Sequence, residues 1–65
     1  MKTPRQRRLD GIVRDLHRAR ALVLNRRGDL LELPVSAGTL NAAAHLLLAA
    51  DRIKDALAWV RVLRA

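Results

Sequence analysis

Sixty-five residues without a cysteine allow one small domain, with no disulfide staple and no thiolate metal site. A core in so short a chain contributes about 3–5 kcal/mol, so idealised helix packing or oligomerisation has to supply the stability. Thirteen Lys and Arg against six Asp and Glu give a net charge of +7, which points to an anionic partner: nucleic acid, an acidic protein or a membrane surface.

The charge is unevenly placed. Residues 1–27 hold nine basic residues against Asp10 and Asp15, whereas residues 28–65 hold four of each sign. The start is basic, like the head of a signal peptide, but Arg14, Asp15, Arg18 and Arg20 break up any apolar run behind it. The longest uncharged stretch, Leu33 to Ala50, contains Pro34, Gly38, Asn41 and His45. That argues against a membrane span and for a soluble, cytoplasmic protein.

Thr3 is a candidate N-cap, with Pro4 at the first helical position. Leu9, Ile12, Val13, Leu16, Ala19 and Val23 then recur at helical spacing, predicting a helix over 4–27. Gly28 would be its left-handed C′ residue, and Arg26 and Arg27 would complement the helix dipole in the last turn. A competing reading places a short β-hairpin at 21–34, turning at Asn25–Gly28, with Glu32 alternating between Leu31 and Leu33. Pro34 ends either element. A loop over 28–38 follows, with Ser36 or Thr39 as the cap of the next helix.

From Thr39 to Arg64 there is no Pro or Gly. Ala42, Ala43, Leu46, Ala49, Ala50, Ile53, Ala56, Leu57 and Val60 fall on one side of a helix over 39–64. Such a stripe must be buried against a partner element. The expected fold is therefore all-α: an antiparallel two-helix hairpin, with dimerisation into a four-helix bundle expected, or α-β-β-α on the competing reading.

Arg7, Arg14 and Arg18 fall within about 40° of one another opposite the first apolar stripe, Asn25 continues the row and Gly11 lies within it. Arg suits phosphate because its planar fork grips two oxygens at once. Arg8, Arg26 and Arg27 are added as further candidates for anion contact. No aromatic lies in this segment, which argues against a base-stacking platform there and against a membrane-surface helix. The bland alternative is a solvated helix face.

On the second helix Leu48, Trp59 and Val62 point away from the main stripe, and Leu63 widens the apolar surface. A two-helix hairpin cannot bury this second face. It is expected to serve self-association or docking on a larger protein, with Trp59 as anchor. Arg52 with Asp55, and Asp51 with Lys54, have the spacing of surface ion pairs. His17 and His45 have no cysteine and few carboxylates near them, so no metal or other cofactor is expected. With one Ser, no Tyr, no Cys and no Gly-rich phosphate loop, neither enzyme activity nor a small-molecule substrate is expected.

In length and two-helix layout the chain resembles the small RNA-binding copy-number regulators of plasmids, which form four-helix bundles from paired hairpins. The resemblance is one of architecture and carries no residue roles. The size and composition also suit the small regulators and inhibitors carried by phages and plasmids. The expected function is a small basic protein that binds DNA or RNA through the first helix. The alternative is an interaction module or inhibitor that docks through the second.

Overall fold

The computed structural model describes residues 1–64. Two helices, α1 (Pro4–Leu31) and α2 (Ala37–Arg64), pack against each other as a hairpin. There is no strand among the described residues, so the β-hairpin alternative at 21–34 does not form.

α1 starts as its sequence predicts. The Thr3 hydroxyl accepts the Gln6 amide at 3.1 Å, and Gln6 Oε1 accepts the Thr3 amide at 2.8 Å. This reciprocal cap satisfies two amides that the first turn leaves open. The end of α1 differs from expectation. The helix passes through Gly28, which does not adopt a positive φ, and ends four residues beyond Arg27. Burial explains the extension. Leu30 sits one heptad beyond Val23 and is half-buried, and only a continuing helix brings it onto the same side. Glycine costs such a helix roughly 1 kcal/mol, a cost that burying part of a leucine side chain offsets. The Arg26–Asp29 ion pair, 3.1 Å across one turn, also favours it.

Arg26 and Arg27 are consequently inside the helix and not in its last turn. Glu32 and Leu33 donate to the carbonyls of Asp29 and Leu30, at 3.2 and 3.1 Å, tightening the exit. Pro34 then prevents further helix.

The connection is residues 32–36, shorter than the predicted 28–38. Ser36 is the cap of α2: its hydroxyl accepts the Thr39 amide at 3.1 Å, and Thr39 Oγ1 accepts the Ser36 amide at 3.0 Å. Gly38 is thereby drawn into the first turn of α2.

The seam between the helices repeats every seven residues. On α2 the buried side chains are Ala43, Ala50 and Leu57, flanked by half-buried Leu46, Ile53 and Val60. Every member of the predicted α2 stripe is buried or half-buried. On α1 the seam is Leu9, Val13, Leu16, Arg20, Val23, Arg27 and Leu30, alternating steps of four and three. That is the spacing of a left-handed coiled coil. Ile12, expected in this stripe, is instead exposed at the edge.

Two arginines in an apolar seam are unusual. No polar side chain is buried as a whole, yet the Nε atoms of Arg20 and Arg27 are sealed from solvent and have no hydrogen-bond partner among the described residues. Their stems pack while their heads reach toward water. An unsatisfied buried donor costs about 1–3 kcal/mol, and the packed stem already contributes, so the expected gain from Arg27→Leu lies at the low end. A rise in Tm of roughly 4–8 °C corresponds to about 1 kcal/mol in a domain this small. A fall in the calorimetric Tm of Arg27→Leu would show that the arginine stabilises its place in the seam.

The Cα extents are 52 × 16 × 10 Å, a rod one helix pair thick. No second layer covers the outer faces.

Candidate nucleic-acid interface

α1 carries Arg7, Arg14 and Arg18 on the side turned away from α2. All three are exposed, and so is Asn25. They span eleven residues, about 16 Å of helix, the axial run of about five phosphates along one strand of a duplex. Arg7 and Arg18 have no carboxylate within ion-pair distance among the described residues. Arg14 touches Asp15 through Nε at 3.4 Å, a pair with both side chains largely exposed, which solvent and salt weaken. A methyl group added at Gly11 would meet only the Arg14 guanidinium, at 3.8 Å. The backbone is therefore bare within the row, and the hairpin itself does not require glycine there.

The other three candidate arginines lie elsewhere. At about 100° per residue, Arg8 and Arg26 face a different side of α1. Arg26 is further engaged by Asp29, and Arg27 is in the seam. The six do not form one surface; Arg7, Arg14 and Arg18 do.

At the open end of the hairpin the two helices are clasped by charge. Asp10 is paired with Lys2 and, at 3.1 Å, with Arg64 of α2. The hydrogen bond from Lys2 holds its carboxyl below the ordinary aspartate range against the opposing effect of desolvation, and the charges of Lys2 and Arg64 add to the lowering. The clasp sets Arg64 of α2 beside Asp10 of α1. Sequence reasoning had Asp10 only as an acid in a basic segment. Its partners come from outside α1 and from the far end of the chain, so no local spacing could reveal them.

The outer face of α2 is open and carries exposed apolar side chains, with Arg52 and Asp55 between them. Trp59 is 73% exposed, Val62 63%, Leu48 56% and Leu63 52%. The expected pairs Arg52–Asp55 and Asp51–Lys54 do not form. All four side chains are exposed, where hydration competes with so weak an attraction.

A second basic cluster was missed. Two turns along from the clasp, His17 and Arg20 of α1 and Lys54, Leu57 and Arg61 of α2 line a cleft of about 180 Å³. The heptad position of Arg20 was the available signal, since it places an arginine head at the edge of the seam. His45 is exposed. Among the described residues no three His, Asp or Glu side chains gather as a metal site, and no helix is long and apolar enough to cross a membrane.

Fold and surface together define a helical hairpin with one basic helix and one apolar outer face. No family model matches the chain, and neither a curated protein nor a solved structure shows significant similarity to it.

Proposed function

We propose that the protein is a small cytoplasmic regulator, without catalytic activity, that binds DNA or RNA phosphates through Arg7, Arg14 and Arg18. The observation that carries this reading is the row of three exposed guanidiniums on one unbroken helix, facing away from α2. Contacts of this kind position a protein on a strand without reading its sequence. The test is the salt dependence of nucleic-acid binding when all three become glutamine.

A second reading rests on the open apolar face of α2. Leu48, Trp59, Val62 and Leu63 suit self-association of two hairpins into a four-helix bundle, or docking on a larger protein. The small core favours the first of these, because half-buried stripes remain on both helices. Sedimentation at high micromolar concentration is expected to give a homodimer, and a folded monomer under those conditions removes the bundle. If the apolar face instead docks on a foreign protein, binding to that protein depends on Trp59 and changes little with salt.

A further inference from the structure

We propose that His17, Arg20, Lys54 and Arg61 form a phosphate-binding site on one edge of the hairpin, separate from the arginine row on the outer side of α1. The cleft they line, with Leu57 as its floor, takes residues from both helices. Three fixed cations and an imidazole meet there, and no carboxylate of the described residues is among the lining groups.

No carboxylate of the described residues lies within ion-pair distance of them. Asp10 is held by Lys2 and Arg64, and Asp15 touches Arg14. Asp51 and Asp55, each within a turn of Lys54, pair with nothing among the described residues. Like charges gathered across a packed seam repel one another. An oxyanion in the cleft turns that repulsion into attraction.

Arg20 supplies the second observation. Its Nε, like that of Arg27, is sealed from solvent and has no acceptor among the described residues; of the two, Arg20 is the one that also lines the cleft. Since Nε is sealed, what Arg20 can bring to a group held in the cleft is the outer end of its guanidinium. Lys54 adds a point charge from the facing helix, Arg61 a second fork and His17 a ring N–H. Donors arriving from two helices suit a tetrahedral phosphate with oxygens in several directions. A planar carboxylate would leave part of the set unused.

The site takes a phosphate group of a nucleic-acid strand or a free phosphate, and it stands without the nucleic-acid reading of α1. The probe is inorganic phosphate, titrated at constant ionic strength against chloride and followed through the His17 ring protons and the Arg20 Nε–H. Phosphate is expected to give saturable shifts at both, and chloride none. The double variant Lys54→Met, Arg61→Met keeps the apolar stems on exposed positions and is expected to bind phosphate about tenfold more weakly or worse. The variant with Arg7, Arg14 and Arg18 as glutamine is expected to bind it normally.

Displacement by an unphosphorylated oligonucleotide identifies the strand backbone as the source. Displacement only by a 5′-phosphorylated one identifies a terminal phosphate. If neither displaces it, the site belongs to a free phosphate. Equal, unsaturated shifts with phosphate and chloride, or undiminished phosphate binding by the double variant, overturn the site.

Discussion

Leu57→Ala is expected to remove most of the stability of the hairpin. Leu57 is 4% exposed and is the largest buried side chain of α2, where the other two are alanines. Deleting a buried leucine to alanine costs about 2–5 kcal/mol, the higher values arising where the surroundings cannot close on the gap. A domain of this size has on the order of 3–10 kcal/mol in all. The loss therefore lowers Tm by roughly 8–40 °C, and the variant is partly unfolded at the warmer end of ordinary conditions. Val62→Ala is the matched control. Val62 lies on the same helix but is 63% exposed, so it should change stability by about 0.5 kcal/mol or less. Thermal unfolding followed by circular dichroism measures both. Equal effects at the two positions would mean that the seam is not where the helices are held together, or that Val62 is covered by a second copy.

Replacing Arg7, Arg14 and Arg18 with glutamine is expected to flatten the salt dependence of nucleic-acid binding. Each phosphate contact contributes close to one unit to the slope of log K against log salt. Three contacts on duplex DNA account for about 2.7 units, and on a single strand about 2.1. Over a fourfold change in salt the duplex figure is roughly a 40-fold change in affinity. Arg14 gives the smallest share, because it already touches Asp15 at 3.4 Å. Glutamine keeps helix propensity, and exposed charges contribute at most about 1 kcal/mol each to folding, so Tm should move little. Trp59→Ala serves as the opposite control and should leave the slope unchanged. A triple variant that keeps the full slope, beside a Trp59→Ala protein that loses its partner, would move the function to the outer face of α2.

The helices were legible in the sequence because their signals are local. Thr3–Pro4 marks the first start, and the alanine–leucine stripe of α2 has the helical period throughout. The second start, which the sequence allows at Ser36 or Thr39 with the helix expected from Thr39, falls at Ser36. The end of α1 was misread at Gly28. Glycine after a periodic segment is a stop signal, but the segment had not finished, since Leu30 still had a place in the seam. The same oversight hid two seam arginines. Arg20 and Arg27 fall in step with Leu9, Val13, Leu16 and Val23, but a reading that sorts residues into apolar and charged leaves them out of the core. The row of Arg7, Arg14 and Arg18 was visible because it belongs to one helix. The clasp at Asp10 and the cleft at His17 draw on both helices, and their composition depends on a register that no single segment encodes.

The five-residue connection fixes the order in which this chain can assemble. Residues 32–36 bring the last turn of α1 beside the first turn of α2, so the first contacts across the seam enclose a very short loop. Each later turn then closes only a small extra length of chain, because the turn before it is already in place. Assembly therefore runs outward like a zip, with few distant contacts to be found by search, a topology that folds fast. The charged clasp of Lys2, Asp10 and Arg64 closes last, at the open end. It is absent from the barrier to folding and present in the barrier to opening. Its effect falls on how long the closed hairpin lasts and leaves the speed of closure almost untouched.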